Sequence, residues 1–363
     1  MLPYFFAYML ALSFFYVGYH FKFDKKALNL TFFLSAIPLI TITGFKHVRV
    51  GTDTLSYVRY YKDINTIDSL LHIINEKGEP AFWVLNYLGN QFSSNYFALF
   101  IISSIITTGC YFYSIKQFNL KTLSLATLLL IGPYLFQING TRQAIAIAIF
   151  TVSVHFIVKK QPLKYVISIV IGCMFHKSII ICLPLYFIFK GEIKPKKIAI
   201  IIFCFLLFVV SFQTFISIAS SIDSKYSTYG DQREESGGVV VSSFNILLFI
   251  WFFLCRRVNS ETLATRSYDI LLALYLLGTL ISLLSIILKI DPSGFLRISI
   301  YFIQFNMFLL PMTIISFKDN NTRYIITLAA VVLMSLYFYM TTSTFSNLAP
   351  YRFNPIVEVN NES

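Results

Sequence analysis

The chain has 363 residues, of which 56% are hydrophobic and only 13% charged, with a mean hydropathy of +0.70 and a formal net charge of +12. Soluble domains carry about 25% charged residues, and no soluble core of this size hides so much apolar surface, so a pair of soluble domains is excluded. In a soluble protein the excess charge would suggest nucleic acid; in a chain whose solvent is lipid it is first a statement about topology.

Runs long enough to cross about 30 Å of hydrocarbon need roughly 20 apolar residues. In chain order they fall at 2–21, 28–45, 95–115, 120–138, 143–158, 198–220, 239–255, 268–289, 297–316 and 323–342. One further stretch, 164–189, is interrupted by His176-Lys177. The first run has no basic leader and no small-residue cleavage site, so it is expected to be a retained span. The five cysteines lie within or at the end of apolar runs, without disulfide or metal spacing. The expected fold is an all-α polytopic membrane protein of about 10–12 transmembrane helices, forming one integral membrane domain over 1–363. Its soluble parts are a first large loop at 46–94 with short helices, a second at 221–238, and a tail at 343–363.

Lys and Arg collect in cytoplasmic loops. The segments 22–26, 116–121, 159–164, 190–197, 256–266 and 318–323 are short and basic, whereas 46–94, 139–142, 221–238, 289–296 and 343–363 are mixed or acidic. The two sets alternate if 164–189 enters, breaks at His176 and returns; a single tilted helix would put one basic loop on the wrong side. With 17 of the 29 cations in these segments and five anions on the same side, Asp269 included, that side holds the entire +12. The other side, read as periplasmic, is neutral, with twelve charges of each sign.

Polar residues converge on that neutral side from six places in the chain. They include His47-Val48-Arg49-Val50-Gly51-Thr52-Asp53-Thr54, then Tyr57, Tyr60, Tyr61, Glu79 and Trp83. Asn139-Gly140-Thr141-Arg142-Gln143, His176-Lys177-Ser178, Asp291 to Arg297 and Tyr351-Arg352-Phe353 complete the set. Asn139-Gly140-Thr141 fits a helix cap placing Arg142 and Gln143 in a first turn, and Ser293 fits a cap ahead of Arg297. His176 and Lys177 would open the returning half-span. Helix N-termini carrying cations suit a dianion such as pyrophosphate. Each residue also has a plainer reading: Arg142 and Arg297 as head-group anchors, Asp53 and Glu79 as helix starters, His176 as a hydrogen-bonded core residue, the tyrosines as an interfacial belt.

In order, Gly-Thr-Asp-Thr with Tyr57 and Tyr61, Glu79 before a helix, Asn-Gly-Thr-Arg-Gln-Ala at 139–144 and Phe-His-Lys-Ser at 175–178 resemble the EpsG-type family. Its members are multispanning polysaccharide polymerases, counted with the Wzy O-antigen polymerases and similar to polytopic glycosyltransferases of the GT-C kind. The resemblance implies transfer of a growing undecaprenyl-diphosphate-linked glycan onto the non-reducing end of a new lipid-linked repeat unit, at the periplasmic face of the cytoplasmic membrane. It implies no metal and no cofactor. The implied partners are that lipid-linked oligosaccharide, membrane lipids, a Wzz-like chain-length regulator and a flippase; nucleic acid is not among them.

Such a reaction needs cations where the diphosphate leaves and a base facing the acceptor hydroxyl. Arg142 and Arg297 come first as cations, with Arg49, Lys177 and Arg352 behind them. His176, Asp53 and Glu79 compete as the base, His176 slightly ahead. Tyr57, Tyr61, Trp83 and Gln143 are the expected glycan contacts. A flippase for the same lipid-linked unit is the main alternative. It would expose charge along a central cavity reached from both sides, whereas the span interiors here are almost free of charge. An acyltransferase or a purely structural partner fits less well.

Overall fold

In hydrocarbon, a backbone N–H or C=O without a partner costs several kcal/mol, so apolar runs close their hydrogen bonds internally as helices. The computed structural model describes residues 1–21, 25–118, 122–189, 195–212, 214, 217, 238–263, 265–344 and 347–354. Among these, seven helices are long and apolar enough to cross a membrane: Leu2–His20, Lys25–Gly44, Phe97–Gln117, Thr141–Val158, Val239–Val258, Arg266–Ile287 and Asn320–Thr344. A bent pair, Pro292–Ile303 and Asn306–Ser316, makes an eighth when it is taken as one span. The protein is an all-α, multi-pass membrane protein.

The chain divides into two compact units, Met1–Pro184 with Tyr324–Ser363, and Leu185–Arg323. In the first unit, Leu2–His20 and Lys25–Gly44 pack as a hairpin, pinned by Ser35 Oγ donating to the Ala11 carbonyl at 2.8 Å. The segment 46–94 carries three helices, Thr54–Asp63, Ile67–Lys77 and Pro80–Phe92. Their apolar faces bury Tyr57, Tyr61, Phe82 and Trp83 against Leu99, Phe100, Ile145 and Ile149 of the neighbouring spans. This segment is a folded cap with its own core. Thr66 and Ser69 cap its middle helix reciprocally, each side chain meeting the other's backbone N–H at 3.1 Å.

In the second unit, Arg266–Ile287 packs closely on Pro292–Ile303, and Gly278 makes the approach possible: a Cβ there would lie 2.7 Å from Ile303 Cγ2. Several buried polar groups are paired between helices. Tyr268 donates to the Phe252 carbonyl, Tyr275 to Asn245 and Ser242 to the Ser282 carbonyl. Arg256 and Asp269 form a two-bonded ion pair at 2.8 and 3.3 Å.

Several expected elements differ in detail. The run 120–138 is built as Thr122–Leu130 and Phe136–Asn139 with a turn between. Gly132-Pro133 lies in that turn, and proline both lacks an N–H and disfavours helix in the residue before it. The run 297–316 bends by 43° near Gln304-Phe305, where the Gln304 side chain donates to the Tyr301 carbonyl. Among the described residues the first break removes one long span and the second bends another, while the run 198–220 is described as a helix only over Pro195–Val210. The stretch 164–189 does break near its middle: Pro162–Cys173 ends and a 3-10 helix, Lys177–Cys182, begins after an extended His176. The loop 221–238 apart from Gly238, the tail beyond 354 and most of the run after Phe212 lie outside the described residues.

Candidate active site

The break at 174–176 docks onto the start of the Pro80–Phe92 helix. Helix starts leave N–H groups without internal partners, and here each start supplies the other. The Ala81 and Phe82 N–H groups donate to the Met174 carbonyl at 2.9 and 3.4 Å. In return, the Lys177 N–H at the head of the 3-10 helix donates to Glu79 Oε1 at 3.0 Å.

Glu79 reaches that position through an unusual turn. Gly78 and Glu79 both have positive φ, 69° and 61°. Glycine adopts this region freely, whereas a residue with a side chain does so at a cost of order 1 kcal/mol. Trp83 Nε1 holds the turn by donating to the Gly78 carbonyl at 2.7 Å. The Lys177 side chain lies directly over Gly78, where a Cβ would meet its Cε and Nζ at 2.7 and 2.8 Å. The turn aims the carboxylate inward instead of into the cap of its own helix, to which it makes no side-chain bond.

The Glu79 side chain, only 5% exposed, is the hub of the site. Its Oε2 accepts from Arg142 Nη1 at 2.6 Å, and its Oε1 meets His176 Nδ1 at 2.7 Å. Burial pushes its carboxyl upward in pKa, but the His176 hydrogen bond, the Arg142 charge and the Lys177 N–H together hold it below the usual carboxylate range. A carboxylate on Nδ1 makes that nitrogen the donor and leaves the Nε2 lone pair of a neutral imidazole free to take a proton. His176 is 27% exposed and Arg142 30%, so both can be approached from outside while Glu79 cannot. The Arg142 guanidinium is surrounded by aromatic rings, 5.5 Å from Trp83, 5.7 Å from Phe82 and 5.9 Å from Tyr57.

The structure therefore joins Glu79, His176, Arg142 and Lys177, and places the remaining expected residues as follows. Asp53 precedes the Thr54–Asp63 helix without capping it, and its electrostatic neighbours are Lys46 and Tyr57. Tyr57, Tyr61 and Trp83 are buried in the cap core, so none offers a ring face to a sugar, contrary to the expectation of glycan stacking; Gln143 is buried as well. The reason is packing: the apolar face of 46–94 needs these rings to fill its contact with the spans. Asn139 does not cap its own helix; its Oδ1 accepts from the Thr52 N–H at 2.9 Å and fixes the loop 46–54 beside the Arg142 helix. The cap ahead of Arg297 is Asp291, which accepts from the Ser293 N–H at 2.7 Å, so Ser293 is the capped residue. Arg297 itself lies in the second unit, partly buried on Pro292–Ile303. Arg49 and Arg352 are exposed and group with His47.

Lys46 is a positioning residue that its place in the sequence conceals. It is fully buried, donates to the Ile138 carbonyl and lies 4.0 Å from the centre of the Phe100 ring. Burial holds its ammonium well below the ordinary range, partly opposed by Asp53. A cation just after an apolar run ordinarily snorkels to a head group, so only the pairing of 46–54 with 138–139 reveals it. Among the described residues no group of three His, Cys, Asp or Glu could hold a metal ion.

The model of the EpsG family matches residues 29–353. No curated protein and no solved structure matches the chain.

Proposed function

Since the chain belongs to the EpsG family, we propose that it is a polysaccharide repeat-unit polymerase. In this reading it moves a growing glycan from a lipid diphosphate carrier onto the non-reducing end of the next lipid-linked unit, at the outer face of the cytoplasmic membrane. The observation that carries the proposal is the Glu79–His176 couple beside Arg142. Glu79 orients the imidazole and stabilises the imidazolium that forms. His176 Nε2 takes the proton of the acceptor hydroxyl as its oxygen bonds to the anomeric carbon. The bond from that carbon to the diphosphate oxygen breaks, and the leaving group departs with the electron pair. General-base assistance of this kind contributes about 10²- to 10⁴-fold.

The leaving diphosphate is the part that needs cations. Arg142 gives one nitrogen to Glu79 and also hydrogen-bonds Tyr57, and the Lys177 ammonium lies over Gly78, next to Glu79. Arginine suits diphosphate because its planar fork meets two oxygens at once. In this reading two of the three catalytic candidates of the sequence have separate tasks, His176 transferring the proton and Glu79 holding the imidazole in place, and Asp53 has none.

Purified protein in nanodiscs, given a synthetic polyprenyl-diphosphate oligosaccharide, should produce a ladder of longer lipid-linked chains. His176→Asn should lower the elongation rate by roughly 10²- to 10⁴-fold at equal protein level. A wild-type protein that moves the substrate between leaflets without lengthening it would be a flippase, and the polymerase reading would fall. Elongation by His176→Asn at the wild-type rate would remove the histidine from the chemistry.

A further inference from the structure

A second feature of the first unit shares no residue with the Glu79 site. Leu2, Phe6, Leu10 and Phe14 recur every four residues and therefore share one helix face. With Leu34 and Pro38 of the Lys25–Gly44 helix they line an apolar groove of about 710 Å³. Pro38 has no N–H to return to the Leu34 carbonyl, and both residues sit on the groove wall. From Leu2 to Phe14 the groove runs about 18 Å at the helical rise, close to half of the ~30 Å hydrocarbon core. It is one leaflet deep.

The lining is apolar, and the nearest basic residue along the chain is Arg352, next to Phe353. Phe353 itself is exposed. The segment 347–354 is strapped onto the hairpin: Tyr4 donates to the Leu348 carbonyl and Tyr351 to the Ile42 carbonyl, each at 2.8 Å. The His47 N–H donates to the Arg352 carbonyl at 2.9 Å, and the Asn354 N–H to the Phe45 carbonyl at 2.8 Å. Residues far apart in sequence thereby bring Arg352 to His47 and Arg49. Burial first, and then the two guanidinium charges, hold the His47 imidazole below its ordinary range. Among the described residues neither guanidinium is in an ion pair with a carboxylate, so the cluster is a net positive charge next along the chain to Phe353 of the apolar slot.

We propose that this groove binds one bilayer phospholipid with an anionic head group, its acyl chain along the Leu2–Phe14 face and its phosphate on Arg49 and Arg352. Charge complementarity selects the anionic head group, and the single-leaflet depth selects an acyl chain over a much longer polyprenyl chain. The cluster includes neither His176 nor Arg142, so its occupant is a resident lipid and not the reacting diphosphate. The site stands whether or not the proposed glycan transfer is correct.

Native mass spectrometry of the full chain, titrated separately with phosphatidylglycerol, phosphatidylcholine, polyprenyl phosphate and glycerol phosphate, tests the assignment. Phosphatidylglycerol should bind in preference to the other three. Arg49→Ala or Arg352→Ala should each weaken it about fivefold, and the double variant roughly 25-fold, from about 1 kcal/mol per arginine. Arg49→Lys with Arg352→Lys should retain most of the binding, and so should Glu79→Gln, which disables the proposed transfer site. Equal binding of phosphatidylcholine, or no change in the double alanine variant, would overturn the proposal. So would tighter binding of polyprenyl phosphate, equal binding of glycerol phosphate, or a dimer of the chain that the lipid does not displace.

Discussion

Each unit of the molecule contains an arginine–carboxylate pair, and the two are built for different ends. Arg256 and Asp269 lie 13 residues apart and are matched two bonds to two, at 2.8 and 3.3 Å. Asp269 lies in the first turn of its helix, where a negative charge is favoured. Both carboxylate oxygens of that pair are spent on the same guanidinium. Glu79 instead divides its oxygens between Arg142, 63 residues away, and His176, 97 residues away, with the Lys177 N–H as a third partner. The second arrangement keeps a titratable ring with a free nitrogen beside a buried charge. A matched pair staples helices together; a shared carboxylate sets up proton transfer.

The largest expected difference between the two pairs is in rate. Glu79→Gln keeps the shape and removes the charge that stabilises an imidazolium, so elongation should fall by ~10²-fold or more. Asp269→Asn should leave elongation within about twofold at matched protein level, since Asp269 pairs with Arg256 and with none of Glu79, His176 or Arg142. Initial rates with the lipid-linked substrate decide this, and equal losses would dissolve the distinction.

Stability should separate them next. Glu79→Ala leaves the Arg142 guanidinium and the Lys177 N–H without their acceptor, at a cost of about 1–3 kcal/mol. Asp269→Asn should cost less, because the amide still accepts from Arg256 and both members of the pair are about one quarter exposed, against 5% for Glu79. Thermal unfolding in one detergent compares them directly.

The smallest effect is on pH dependence. The folded-state pKa of Glu79 is lowered, so its contribution is fully present above the ordinary carboxylate value of 4.5 and is lost as pH falls through the lower folded value. Melting temperature should therefore decline on acidification below about pH 4.5, and Glu79→Gln should flatten that part of the profile. An unchanged profile in the variant would mean that other carboxylates dominate acid unfolding.

Much of this was legible before any coordinates. The break at His176 showed as polar residues inside an apolar stretch, and the motifs that resemble the EpsG family contain Glu79, Arg142 and His176. What the pattern could not reveal was that Glu79 and His176 are partners. Both looked like competing bases, because the turn with two positive φ angles that directs Glu79 inward has no reliable sequence signature beyond Gly78. Tyr57, Tyr61 and Trp83 misled for a related reason. An aromatic residue in a polar loop fits a binding platform as well as a core, and only the packing of 46–94 onto the spans shows that it is core.

The amino-acid sequence by itself determined the solvent, the helical class and the family. These follow from composition, from runs long enough to cross hydrocarbon and from short motifs, all of which are local. Tertiary structure alone decided which charges meet. Glu79, Arg142 and His176 lie far apart along the chain, as do His47 and Arg352, and each group is assembled by backbone bonds between distant turns. Propensity and periodicity describe a segment and its neighbours within a few residues. A shared carboxylate or a basic cluster next to an apolar groove depends on contacts that exist only once the helices have packed.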